Sequence, residues 1–268
     1  MKHHYDLTTH SIAGETWSVH QWKPKAAASH RCFCLHGFLG SGLDFKPLVA
    51  ASNESIEWIC PDLLGHGQSS KPEGSSAYAI EKTIASLAHL NEQFNRPSIA
   101  IGYSLGGRLL MQSILSKALT PVQSLFLSAS PGIEEVSEIQ KRKQHDQEWA
   151  QRLQSDPASF FETWNAQNLF MPNNNQPILL NQKPKALAAA LLAWSPAQLP
   201  HCWNQLNKIK SVSYYYGALD SKYAAIAKRI SEVAPQWKST AIPDAAHRII
   251  QDQPKSLSNA IQQNLTTI

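Results

Sequence analysis

The sequence predicts an α/β fold: a mostly parallel central sheet with helices on both faces and an inserted helical cap. Three observations carry this. Apolar runs of strand length alternate with stretches whose apolar residues recur at helical spacing. A Gly-x-Ser-x-Gly pattern, Gly102 to Gly106, falls at one strand-to-helix junction. From Pro131-Gly132 the alternation stops, and the chain reads as helical to about Trp203. The expected division is a core of residues 1–130 and 206–268 with a cap over 131–205.

Taken in order, Tyr5 to Ser11 and Thr16 to Trp22 flank Ala13-Gly14 and predict a leading hairpin. Lys23 to Ser29 reads as a loop, and Arg31 to Leu35 as the next strand. That strand runs into the glycine-rich turn His36 to Gly42. Ile56 to Cys60 is a strand ending in Pro61 to Ser69, a loop in which Asp62 caps and the glycines permit tight turns. His66 reads as structural, with a place at the pocket mouth as the alternative. Tyr78 to Phe94 carries apolar residues at Ile80, Ile84, Leu87 and Leu90, a helical spacing.

Ser98 to Ile101 is a buried strand and Leu105 to Leu119 a helix, with Ser104 between them. Val122 to Ser128 follows as a strand. In the cap, Glu134 to Gln154 is long, charged and amphipathic, Ala158 to Trp164 is rich in aromatics, Pro172 to Gln176 is a polar loop, and Ala186 to Trp194 is an apolar helix. Ser211 to Tyr216 resumes the sheet, Tyr223 to Val233 is a helix, Lys238 to Ile242 is the last strand, and Pro254 to Leu265 closes the chain as a helix.

Composition narrows the function classes. The chain has 268 residues, 43% hydrophobic and 16% charged, with a formal net charge of +4. That is enough chain for one large α/β domain. No Lys/Arg block reads as a nucleic-acid footprint, and no apolar run reaches membrane-spanning length. Met1 to Asp6 lacks the apolar segment of a secretory leader. Cys32, Cys34, Cys60 and Cys202 are too scattered for a disulfide framework. His10, His20 and His30 recur at a regular interval but on separate strands or loops, so no metal site is expected. The expectation is a cytoplasmic, cofactor-free protein, monomeric or a weak homo-oligomer, with a small-molecule partner and neither nucleic acid nor membrane.

The chemistry gathers at strand ends. A serine in Gly-x-Ser-x-Gly sits on a sharp turn that pushes its hydroxyl clear of the sheet. The helix that follows adds backbone N–H donors and a positive field. The turn after Leu35 exposes further N–H groups, so Phe38 and Leu105 are the expected oxyanion-hole donors. Asp220 falls just past the strand Ser211 to Tyr216, and His247 past the strand Lys238 to Ile242. A serine hydroxyl is nearly inert until a base takes its proton. Imidazole titrates near neutrality, and a carboxylate fixes its tautomer. The order Ser104, Asp220, His247 is the nucleophile–acid–base order of the α/β-hydrolase fold. Asp244 is the rival acid, too near His247 along the loop to be favoured.

With these residues in hand, the chain resembles one α/β-hydrolase branch, the 2-succinyl-6-hydroxy-2,4-cyclohexadiene-1-carboxylate (SHCHC) synthases of menaquinone biosynthesis. Leu35 to Phe38 and Asp62 to Gly67 are shared with many hydrolases. Gly102 to Arg108 is sharper, because an arginine after the double glycine is typical of this branch. So is the cap segment Lys141-Arg142 to Arg152, with Phe161 and Trp164 beyond, and Asp220-Ser221-Lys222-Tyr223 resembles the acid loop of the branch. The resemblance implies a carbon–oxygen lyase on a hydrolase chassis, eliminating pyruvate from 2-succinyl-5-enolpyruvyl-6-hydroxy-3-cyclohexene-1-carboxylate (SEPHCHC). Ser104, activated by His247 and Asp220, is then the base. Arg108 and Arg142 bind the carboxylates of the substrate, and Tyr103 and Trp164 line its pocket.

Two departures from the branch stand out. Where it carries a further arginine late in the cap, this chain offers Lys183 or Lys185. The residue before the base is Ala246 rather than glycine, and Arg248 beside the base is an extra cation. The alternatives are a carboxylesterase or other acyl hydrolase, or a C–C bond hydrolase, with Ser104 as nucleophile. A non-enzymatic binding protein on this fold is the third.

Overall fold

The computed structural model describes residues 3–172 and 183–265. The chain opens with β1 (His3–Ile12) and β2 (Glu15–Pro24), then β3 (His30–Leu35), α1 (Lys46–Ala51) and β4 (Ile56–Pro61). It continues through α2 (Ile80–Gln93), β5 (Ile99–Tyr103), α3 (Leu105–Leu115) and β6 (Gln123–Leu127). Next come α4 (Val136–Ser155), α5 (Pro157–Asn165) and α6 (Pro184–Ala193). It ends with β7 (Val212–Gly217), α7 (Ser221–Val233), β8 (Lys238–Ile242), α8 (Ile249–Asp252) and α9 (Pro254–Leu265).

One eight-stranded sheet holds the order β1-β2-β4-β3-β5-β6-β7-β8. The leading hairpin is antiparallel, β2 meets β4 antiparallel, and every pairing from β4 to β8 is parallel. Period-two alternation sends side chains to two cores. Phe33, Leu35, Ala100 and Phe126 join one cluster, while Cys32, Cys34, Ile99, Ile101, Leu125 and Leu127 join the other. The four cysteines are free and buried. Burial of the neighbouring Cys32 and Cys34 pushes their thiols up. They pack as small apolar groups.

Most elements fall within a few residues of expectation. The helix after Ser104 stops at Leu115 rather than Leu119. There the chain turns through Lys117, whose φ is +63°, outside the helical region. Tyr78 belongs to a preceding 3-10 turn, Ser75–Tyr78, and α2 starts at Ile80. The short α1 and α8 carry no periodic signal, because six and four residues are under two turns. The polar loop expected over Pro172 to Gln176 lies, from residue 173 onward, outside the described residues. No helix among the described residues is long and apolar enough to cross a membrane.

Between β6 and β7 the described residues form no strand. α4, α5 and α6 bring Ala150, Leu153, Phe160, Leu187, Ala188 and Leu191 into a third apolar cluster around Leu39. Leu39 belongs to the turn after β3, so this cluster seats the helices on the sheet's carboxyl edge.

Candidate active site

Ser104 stands between β5 and α3 with φ +50° and ψ −109°. That conformation is strained for an L-residue, and such strain collects where a side chain must be aimed. Packing enforces it. A Cβ on Gly102 would come within 2.5 Å of Gly107 Cα, and one on Gly106 within 2.1 Å of the Leu35 carbonyl oxygen. Only glycine lets β5, α3 and the end of β3 approach so closely. The Ser104 N–H donates to Leu127 O at 2.9 Å, tying the turn to β6.

His247 Nε2 lies 3.0 Å from Ser104 Oγ. On the other side, His247 Nδ1 is 3.3 Å from Asp220 Oδ2, within reach but short of good hydrogen-bond alignment. Asp220 also caps α7, its Oδ1 accepting from Tyr223 N at 3.1 Å. The two loops are zipped together by main-chain bonds: Ala218 N donates to Ile242 O and Leu219 N to Ala245 O, both at 2.9 Å. Within the second loop, Ala246 N donates to Asp252 Oδ2 at 2.9 Å. The acid and base are therefore placed by main-chain bonds between two loops that are distant along the chain. Burial lowers the His247 pKa, and Asp220 partly offsets that. The imidazole is thus neutral at pH 7 and able to accept a proton. Asp244 sits exposed on the turn after β8, with φ +54°.

Ser104 and His247 open into a cavity of about 140 Å³, also lined by Phe38, Leu105, Tyr103 and Trp164. One water needs about 10–15 Å³ by this measure, so the space is ligand-sized rather than an internal void. The Tyr103 and Tyr223 rings lie 5.5 and 4.7 Å from the His247 ring. Leu105 opens α3, where backbone N–H groups lack intrahelical partners. Trp164 meets Phe38 edge-on at 5.2 Å.

Cations concentrate here. Arg108 lines the cavity and donates from Nη2 to Trp194 O at 3.3 Å. Its Nε is buried without a partner among the described residues. Burial pushes its pKa down to about 10, so it stays charged at neutral pH. Arg142 lines the same cavity, its Nε donating to both Asp146 oxygens at 2.8 and 2.9 Å. Its flanking residues Lys141 and Lys143 are exposed.

Lys183 and Lys185 are not brought to the cavity. Both are exposed, and Lys185 pairs with Glu73 at 3.3 Å. Lysine at a helix start points along the surface here, because the buried face of α6 is taken by Ala186, Leu187, Ala190 and Leu191. His66 is wholly buried and lines no part of the cavity. Its Nδ1 is 3.0 Å from Leu64 O, its ring stacks near Trp194, and burial pushes its pKa down to about 3.

Sequence reasoning missed three groups that line the site. Asp146 carries a readable signal, since it lies four residues after Arg142 on one helix. Lys222 follows the capping Asp220 by two residues. It is exposed as a residue yet lines the cavity, where desolvation and the nearby Arg142 and Arg108 lower its ammonium pKa. Tyr223, like Lys222, stands in the Asp220-Ser221-Lys222-Tyr223 stretch that carries the resemblance, but that stretch marks the acid and not a pocket wall. Arg248, noted only as an extra cation, is buried over the Phe170 ring at 3.8 Å and donates to Asn165 Oδ1 at 2.6 Å. It also lines the cavity.

A strained serine between β5 and α3, hydrogen-bonded to a histidine beyond the last strand, is an arrangement with known counterparts. The description of the alpha/beta hydrolase family matches residues 32–260. The chain belongs to that family. A Bacillus subtilis (strain 168) protein, provisionally named 2-succinyl-6-hydroxy-2,4-cyclohexadiene-1-carboxylate synthase, is 25% identical over 255 residues, covering 90% of this chain and 92% of its own. The Escherichia coli O157:H7 (strain EC4115 / EHEC) protein of that synthase name is 28% identical over 250 residues, covering 86% of this chain and 92% of its own. Among solved structures, MenH from S. aureus superposes with a TM-score of 0.84 at 24% identity, covering 93% of this chain and 98% of its own. That last likeness speaks for the fold. The chain is an enzyme on an α/β hydrolase fold, similar in sequence to SHCHC synthases.

Proposed function

We propose that this enzyme is a carbon–oxygen lyase of menaquinone biosynthesis that eliminates pyruvate from SEPHCHC to give SHCHC. The observation that carries the reading is the pair of guanidinium groups, Arg108 and Arg142, lining the same cavity as Ser104 and His247. A guanidinium fork suits carboxylates, and a substrate with several carboxylates repays two such cations. A purely apolar ester has no use for them. The names of the B. subtilis and E. coli relatives point the same way.

In this reading His247 takes the Ser104 proton, held in its tautomer by Asp220. The resulting alkoxide removes a ring proton from the substrate. Electrons shift through the ring, the C–O bond breaks with its electron pair leaving on the enolpyruvyl oxygen, and the departing enolate takes at carbon the proton that His247 holds, giving pyruvate. The N–H groups of Phe38 and Leu105 stabilise negative charge that grows as the ring proton leaves. Tyr103 and Trp164 shape the pocket. Lys222, rather than Lys183, supplies the further cation. Helices α4 to α6, within residues 131–205, act as the cap of a core formed by 1–130 and 206–268.

A paired assay tests this. One arm follows pyruvate release from SEPHCHC, the other hydrolysis of a short nitrophenyl ester, with Ser104→Ala and Arg108→Ala beside the parent. Fast pyruvate release, lost in both variants, with slow ester turnover is the expected result. Fast ester hydrolysis that survives Arg108→Ala, with no pyruvate released, points instead to an acyl hydrolase with Ser104 as nucleophile.

A further inference from the structure

Arg108 comes from the helix behind Ser104 and Arg142 from α4, yet two adjacent residues join them. Trp194 O accepts from Arg108 Nη2 at 3.3 Å. The next residue, Ser195, donates its hydroxyl to Asp146 Oδ2 at 2.5 Å. Asp146 in turn accepts from Arg142 Nε through both oxygens, at 2.8 and 2.9 Å. The Ser195 oxygen accepts from Ala197 N at 2.9 Å, which turns its proton toward Asp146. The path Arg108–Trp194–Ser195–Asp146–Arg142 is continuous.

We propose that Asp146 and the Trp194-Ser195 segment form a bracket that sets the distance between Arg108 and Arg142, and with it the carboxylate-to-carboxylate span of the anion the cavity accepts. This rests on the polycarboxylate reading above and adds positioning residues to it.

Burial separates the bracket from an ordinary helix-surface ion pair. Asp146 is 1% exposed and Ser195 4%. An exposed i,i+4 pair contributes little and tolerates loose geometry. A buried carboxylate is costly unless its bonds are all made, so Asp146 holds its partners in one arrangement. The side-on grip on Nε also leaves the terminal amino groups of Arg142, with four of its five N–H donors, for a ligand. A guanidinium without that grip samples several rotamers and fits anions of several lengths.

Calorimetric titration of the intact protein with malonate, succinate, glutarate and adipate tests the bracket. The parent is expected to favour one chain length by roughly tenfold over its neighbours. Asp146→Asn and Ser195→Ala are each expected to flatten that preference to within about threefold, while acetate binding changes by less than that. Thermal melts check that the variants fold, and if Asp146→Asn does not, Ser195→Ala decides alone. A length preference that survives in the folded variants, or a parent with no preference, overturns the bracket. If instead Arg108→Ala and Arg142→Ala bind the dicarboxylates as the parent does, the polycarboxylate reading itself falls.

Discussion

The two walls of the cavity are built in opposite ways. The sheet wall carries Ser104, Asp220 and His247 on short turns at strand ends, each pinned by main-chain bonds or by glycines that admit no side chain. The helical wall carries Arg142, Asp146, Trp164 and Ser195 on α4, on α5 and after α6, held by side-chain bonds and the apolar cluster around Leu39. One wall is fixed by main-chain bonds and close glycine contacts, the other by side-chain bonds and apolar packing between helices. The first suits chemistry, which needs an invariant geometry. The second suits recognition, which changes by replacing side chains while the sheet stays intact.

Substitutions that separate the walls sharpen this contrast. In the proposed reaction Ser104→Ala removes the group that takes the ring proton, and is expected to cut pyruvate release by about 10²–10⁴-fold with binding intact. Comparing kcat with the affinity of a non-reacting dicarboxylate checks it, and an equal loss in both would erase the distinction between the walls. Next in size, Arg108→Ala and Arg142→Ala each lose charge-assisted hydrogen bonds worth about 1.5–3 kcal/mol, about 10- to 100-fold in kcat/KM. The loss is expected mainly in KM.

Phe160→Ala empties a fully buried site in the cluster around Leu39. Such deletions cost about 3–5 kcal/mol. The loss is expected to fall on the helical wall alone: hydrogen exchange quickens in α4 and α5 while amides of β5 and β6 stay protected. Loss of protection in the strands as well would mean that the two walls fold as one unit.

The smallest effect is on pH. Burial holds the His247 pKa below its ordinary value, so the base stays unprotonated through the neutral range. The acid limb of kcat/KM is expected below about 6.5, the usual imidazole value, with activity lost as pH falls through the depressed pKa. Asp220 acts to raise that pKa, so Asp220→Asn is expected to move the limb lower still while reducing the rate. A limb above the ordinary imidazole range would contradict the burial of the base.

How much of this was legible in the chain follows the same division. The serine turn could be read because its glycines are required by contacts with residues nearby in the fold, such as Gly106 against the Leu35 carbonyl. Asp220 and His247 could be read because strand ends are visible as the end of an apolar run. Arg142 was reached only by resemblance, since Lys141, Arg142 and Lys143 look alike as a run of charge. Their different fates depend on which helix face meets the cavity: Arg142 turns inward to Asp146 while its neighbours stay in water. Lys183 could not be placed from sequence for the same reason. A helix start marks where a residue lies along the chain but not which neighbour its side chain meets.

Local patterns thus settle the alternation of strands and helices, the strained serine and the order of the triad, because backbone sterics and side-chain periodicity act over a few residues. Packing alone settles that Tyr223 lies on the histidine ring, that Lys222 and Arg248 line the cavity, and that Asp146 joins Arg142 to Ser195. Those contacts join segments far apart in the chain, and close-packing of the folded molecule is what selects them.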